Sequence, residues 1–311
     1  MRRLLLASLA LTLAAPAAPA APDPGSAPAT PTAVLAAAPA ADWADIAPAD
    51  LLVIDLARGG RVVIDLAGDF APVHVANIRT LAHTRWYDGL VIERVQDDYV
   101  AQWGDPDGKK QLPPDVTQPA PAEYTRPAAG LAFTALPFAD PYAERVGASG
   151  AFPVAESGDE AWLTHCYGMV GVGRDVNPDT GTGAELYAVI GQPPRGLDRN
   201  IAVVGRVLAG MDILASLPRG TADLGFYADA GQRAPILQER LGSDLAKADQ
   251  PHFQVLKPDS ASYRAWIHAR ANRQDTFFLR PAGAIDVCNA MPPVRAAAAG
   301  RIAPPERGKP R

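Results

Sequence analysis

The sequence predicts a mostly β fold, on three observations. Two near-identical segments, residues 51–56 (LLVIDL) and 61–66 (RVVIDL), flank Arg58-Gly59-Gly60, and glycine at such a break supplies the positive φ of a tight hairpin. Residues 91–95 and 99–103 form a second pair of apolar runs around the polar Gln96-Asp97-Asp98. Three further short runs follow at 168–173, 184–189 and 203–207, each bounded by turn residues.

Alternation along a strand puts Ile92, Arg94 and Gln96 on one face of the first run and Val91, Glu93 and Val95 on the other. Tyr99, Ala101 and Trp103 then alternate with Val100 and Gln102. Arg94 is a permanent cation within an apolar, β-branched run. It is either an edge-strand charge that discourages aggregation or a working group. Residues 71–83 open with Ala71-Pro72 and repeat apolar positions at Val75, Ile78 and Leu81-Ala82, an amphipathic helix with proline near its first position. His74 and His83 on this helix are read as packing or surface residues.

The chain of 311 residues is long enough for one large domain or two small ones. A formal charge of −5 argues against a nucleic-acid surface, which requires a basic stripe. Arg2-Arg3 precede an apolar run from Leu4 to Ala15, and Ala15-Pro16-Ala17 and Ala18-Pro19-Ala20 offer small residues for cleavage. Residues 1–20 therefore read as a secretory signal peptide, an N-terminal anchor if uncleaved, and no later stretch is apolar for long enough to span a bilayer. Residues 21–42 are rich in Ala and Pro and read as a disordered linker.

Arg94, then Tyr99-Val100, Gln102 and Gly104-Asp105, resembles the active-site signature of the cyclophilin-type peptidyl-prolyl cis-trans isomerases. The order of elements around it is similar as well. The hairpin and Ala-Pro helix precede it. Gly168-Met169-Val170-Gly171-Val172-Gly173, the strand 184–189, Val203-Val204-Gly205-Arg206-Val207 and a helix over 210–217 follow it.

The resemblance implies a closed eight-stranded antiparallel barrel capped by two helices. The barrel domain would span 43–222 with an insertion around 106–165, and a partly helical extension over 223–311 would pack on it. Within the insertion, 105–127 reads as loop, 130–136 as a strand, and the rest as irregular to Glu160. In the extension, 230–247 and 260–273 have helical composition, and 276–279 reads as a short strand.

For function, the resemblance implies isomerisation of X-Pro bonds in proline-containing polypeptide clients, with no cofactor or metal. Arg94 would be the donor to the twisted prolyl nitrogen and Gln102 its support. Tyr99, Val100, Tyr187 and Leu197 would line the proline pocket, and Gly173 and Arg174 would flank the strand edge that pairs with substrate backbone. Glu185 stands where the family has glutamine and could pair with Arg94, and Ile201 stands at a histidine position. Gly196 replaces the tryptophan that precedes Leu197, which implies weak binding of cyclosporin. A signal peptide implies export, to a bacterial periplasm, where Cys166 and Cys288 could pair. A barrel that grips proline segments as a chaperone or scaffold without turnover is the alternative. The loop Asp175-Val176-Asn177-Pro178-Asp179-Thr180-Gly181 has a partial likeness to a calcium loop and is read as a turn.

Overall fold

The computed structural model describes residues 29–297. The expected signal peptide and most of the C-terminal tail lie outside the described residues. In chain order, α1 (Pro31–Ala37) leads to β1 (Trp43–Ile46), the hairpin β2 (Leu51–Leu56) and β3 (Arg61–Leu66), α2 (Pro72–His83), and the pair β4 (Val91–Val95) and β5 (Val100–Gly104). The insertion holds β6 (Arg126–Pro127), β7 (Thr134–Ala135), β8 (Arg145–Ser149), β9 (Phe152–Ser157) and β10 (Glu160–Leu163). Next come β11 (Met169–Val172), β12 (Leu186–Val189), β13 (Val203–Ala209) and α3 (Met211–Ser216). The chain continues through β14 (Ala234–Leu241), β15 (Phe253–Leu256), α4 (Ala261–Ala271) and β16 (Val294–Ala296).

Eight strands close into an antiparallel barrel in the order β11-β12-β5-β4-β14-β2-β3-β13. Closure leaves no unpaired barrel edge, so Arg94 on β4 lies between β5 and β14 and the edge-strand reading falls away. Inside, Ile54, Ile64, Ile92, Trp103, Val170 and Leu186 meet Val75, Ile78 and Leu81 of α2 and Leu214 of α3. These two helices are the expected caps. On the outer face of the hairpin, Leu51, Val53 and Val63 pack against Phe253 of β15. Cover on both faces explains why 51–56 and 61–66 read as nearly continuous apolar runs.

Five expectations change. Residues 230–247 were expected to be helical, yet Ala234–Leu241 is the strand that bridges β4 and β2. A register shift between Ile236 and Gln238 breaks its period, and Leu-Gln-Glu-Arg-Leu consists of good helix formers whose propensity tertiary pairing overrides. A barrel boundary at 222 thus leaves out one of its strands. The supposedly irregular insertion is a five-stranded antiparallel sheet, β6-β10-β9-β8-β7. Within the expected linker, Thr30 caps α1 by accepting from the Ala33 N–H at 3.2 Å, and Val34 and Leu35 pack against the core shared by the insertion sheet and α4. The expected strand at 276–279 is loop, with Phe277 and Leu279 exposed.

α2 ties the insertion to the barrel. Glu123 accepts from the backbone N–H groups of Val73 (2.9 Å) and His74 (3.0 Å) and bonds His74 Nδ1 at 2.7 Å. A carboxylate at those orphan donors complements the helix dipole. Asn77 grips the carbonyls of Thr117 and Thr182, both at 3.0 Å. Cys166 and Cys288 form a disulfide across 122 residues, joining the C-terminal segment to the insertion core.

Candidate active site

A bulge aims Arg94. Ile92 faces Trp103 across the β4–β5 ladder and Arg94 faces Gln102, so Glu93 is the extra residue. Simple alternation put Ile92 and Arg94 on one face. The bulge instead sends Ile92 and Val95 into the barrel and turns Arg94 to the outer wall beside Gln102. There a cavity of about 640 Å³ is lined by Arg94, Gln102, Tyr99, Val100, Tyr187 and Ile201, among others.

A guanidinium has five N–H donors. Arg94 Nη1 donates to Gln102 Oε1 at 2.9 Å, Nε donates to the Leu224 carbonyl at 2.7 Å, and Nη2 donates to Gln96 Oε1. Two N–H groups remain. Tyr99 and Phe226 place ring centroids 5.6 and 5.4 Å from Arg94 Cζ, which holds the plane of the group. Burial lowers the Arg94 pKa, and the neighbouring Tyr99, Glu185 and Glu93 pull it back.

Glu185 lines the cavity but forms no ion pair with Arg94 within 4.0 Å among the described residues. It adjoins Glu93 instead. Burial, then the hydrogen bond and charge of Glu185, raise the Glu93 carboxyl to about 9, so this pair carries a proton at neutral pH. The glutamate passes close to two glycines: a Cβ on either Gly104 or Gly173 would stand 2.9 Å from Glu185 Cγ.

The pocket floor rests on a buried network absent from the expectations. Tyr187 OH lies 3.1 Å from His165 Nε2, and His165 Nδ1 lies 3.0 Å from Asp198 Oδ1. Asp198 also accepts from Arg195 Nε at 2.6 Å and Trp162 Nε1 at 3.3 Å, while Arg195 grips Asp140 with both Nη atoms. Burial pushes the Asp198 carboxyl up, but His165 and Arg195 outweigh it and hold the group below the ordinary carboxylate range. An ionised Asp198 fixes the proton on His165 Nδ1 and leaves Nε2 to accept the tyrosine hydroxyl.

Two expected residues differ in role. Leu197 sits in a 3₁₀ turn and is not among the residues lining the cavity, because its neighbours Arg195 and Asp198 turn inward to the network. The Gly173 N–H donates to the Glu185 carbonyl at 2.8 Å, which removes it as a donor to substrate backbone. Arg174 lines the cavity with its guanidinium anchored on the Asn200 carbonyl at 2.9 and 3.2 Å. The wall also gains Leu224 and Phe226, from a segment beyond the expected barrel.

Arg94 and Gln102 thus stand side by side over a hollow on the outer wall of a closed antiparallel barrel. The profile of the cyclophilin type peptidyl-prolyl cis-trans isomerase/CLD family matches residues 52–236. That is more than half of the chain, and the chain belongs to that family. It is 27% identical over 181 residues to a probable peptidyl-prolyl cis-trans isomerase of Brucella suis biovar 1 and equally to one of Brucella melitensis biotype 1, spanning 57% of this chain and 76% of each relative. The crystal structure of cyclophilin AquaCyp293 from Hirschia baltica superposes with a TM-score of 0.63 at 25% identity, over 81% of this chain and 95% of that one. That likeness covers more of this chain than the family profile does.

Proposed function

We propose that the protein accelerates rotation about X-Pro bonds of exported polypeptides in the periplasm and so assists their folding. Amide resonance imposes a barrier of about 18–20 kcal/mol on that rotation. Twisting breaks the conjugation and returns a basic lone pair to the proline nitrogen. A donor fixed beside that nitrogen binds the twisted state better than either planar one, which is what lowers the barrier.

The observation that carries the reading is Arg94, engaged by no carboxylate among the described residues and with two N–H groups unspent there beside an open cavity. Tyr99, Val100, Tyr187 and Ile201 give the proline ring an apolar wall. Gln102 holds the guanidinium in register across the ladder. Export is supported by Arg2-Arg3 and the apolar run after them and by a disulfide of the kind that persists in oxidising compartments.

Two measurements test the proposal: cis-to-trans conversion of a short Xaa-Pro peptide in a protease-coupled assay, and the compartment of the full-length chain after cell fractionation. Turnover well above the spontaneous rate, with the chain in the periplasmic fraction, is the expected result. Binding of the peptide without acceleration points to the scaffold alternative, and a cytoplasmic chain overturns the export reading.

A further inference from the structure

A second cavity, of about 560 Å³, opens where the barrel, the insertion sheet and the sheet of β1, β15 and β16 meet, and it shares no lining residue with the first. Its wall is mixed: Ile46, Phe70, Val75 and Phe152 give it an apolar part, and Asp45, Asp50, Asp65, Asp69 and Arg79 line the rest. Asp65 is 5% exposed. Among the described residues its carboxylate has neither a hydrogen-bond partner nor an ion pair within 4.0 Å.

The absence of a partner has a visible cause. Asp65 lies directly across the β3–β13 ladder from Arg206, the natural counter-ion. Arg206 instead turns its Nη1 to the carbonyls of Ala151 at 2.7 Å and Pro292 at 2.8 Å, stitching the insertion turn to the C-terminal segment. Arg79, a cation on the cavity wall, is paired with Asp50 at 2.5 Å. Asp45 and Asp69 add two more carboxylates to the lining. Burial, then the charge of Asp50, raise the Asp65 carboxyl to about 7 against the pull of Arg206, which is the behaviour of a carboxylate short of positive charge.

We propose that this cleft is a binding site for the cationic side chain of a lysine or arginine carried on a polypeptide segment, with Asp65 receiving the ammonium or guanidinium and the apolar wall receiving its alkyl stem. Such stems bury their methylenes against apolar surface while the head keeps a polar partner. A metal ion fits less well, since no three His, Cys, Asp or Glu side chains among the described residues are grouped to hold one. The cavity is also of a size that accepts a small organic ligand or a few residues of peptide. The proposal does not rest on isomerase turnover.

The test is a calorimetric titration of the full-length protein with proline-free probes: Ac-Ala-Lys-Ala-NH₂, Ac-Ala-Arg-Ala-NH₂ and the norleucine analogue, which keeps the stem without the charge. The basic probes are expected to bind at least about ten-fold more tightly than the norleucine probe. Asp65→Asn should remove that difference and Arg94→Ala should leave it intact. Asp45→Asn with Asp69→Asn, changed on the rim, keeps the question open to test if Asp65→Asn does not fold, and should weaken the basic probes several-fold.

Equal affinity for the lysine and norleucine probes, or basic-probe binding untouched by both sets of aspartate changes, overturns the proposal.

Discussion

Arg94 donates its Nε–H to the backbone carbonyl of Leu224 at 2.7 Å, which means that a segment 130 residues further along the chain holds this guanidinium in place. The same segment brings Phe226 over the guanidinium and pairs it with Arg94 in an isolated β-bridge. Leu224 itself adopts a left-handed conformation at φ 56° and is 66% exposed, a costly arrangement for leucine that presents its side chain at the cavity mouth. Phe226→Ala keeps the Leu224 carbonyl and removes the ring. A ring–cation contact of this type is worth about 0.5–2 kcal/mol, so kcat/KM on a short Xaa-Pro peptide should fall about 2–30-fold with the melting temperature little changed.

Glu185 decides how the carboxyl beside the arginine titrates. Glu93 is held protonated up to about 9, first by burial and then by Glu185. Glu185→Gln removes the second cause and should move the Glu93 transition toward acid, as read by ¹³C NMR of the labelled carboxyl. In the parent protein, ionisation of Glu93 near pH 9 adds negative charge beside Arg94, so kcat/KM should decline on the alkaline side. In Glu185→Gln that decline should begin at lower pH.

His165 acts on the pocket through Tyr187 and is a positioning residue. Tyr187→Phe leaves His165 Nε2 buried without its 3.1 Å partner, at a cost of about 1–3 kcal/mol. His165→Phe removes the support from the other side. Both variants should raise KM for the prolyl peptide more than they lower kcat, since the wall moves while Arg94 stays. Urea denaturation alongside peptide kinetics checks this, and an effect on kcat alone would place His165 elsewhere in the account.

Buried acids make the fold more stable on the acid side of neutrality. Burial raises Glu239 to about 8 and Asp65 to about 7, and burial with Glu185 raises Glu93 to about 9. Each keeps its proton in the folded chain at pH values where the unfolded chain has released it. Their contribution is therefore present below the ordinary carboxylate range and is lost as pH rises through the folded values. The unfolding midpoint in urea should fall between pH 5 and pH 9. Glu239→Gln, neutral in both states, should flatten the part of that slope below about pH 8.

The disulfide closes a long loop, joining Cys166 and Cys288 at a sequence separation of 122. The loop-entropy account assigns about 4–5 kcal/mol to a closure of this size. The double change to alanine should lower the unfolding free energy toward that amount, and alkylation before reduction should label neither cysteine of the parent.

What could be read in the sequence depended on how locally each feature was encoded. The hairpin around Gly59-Gly60 and the Arg94–Gln102 pair are written within a few residues, as apolar runs and fixed spacing, and both stand in the structure as expected. The strand Ala234–Leu241 was hidden because its residues favour helix and its period is broken by a register shift. The insertion sheet was hidden because its strands are short, β6 and β7 being two residues each, and because small residues such as Gly147, Ala148, Ala155 and Ala161 stand among its larger core side chains. At Gly147, for example, a Cβ would stand 2.1 Å from the Thr134 carbonyl oxygen, and such closeness leaves no hydrophobic signature. Leu224 reaches Arg94 through a backbone carbonyl, which no side-chain pattern can announce. The outward turn of Arg94 depended on the Glu93 bulge, where alternation fails.

The most direct test of the central claim is the ratio of kcat/KM for Arg94→Ala to that of the parent, on a short Xaa-Pro peptide, with near-ultraviolet circular dichroism to verify that the barrel is intact. Loss of one transition-state donor predicts a fall on the order of 10²–10³. A folded Arg94→Ala protein whose kcat/KM stays within a few-fold of the parent would contradict the role given to this guanidinium.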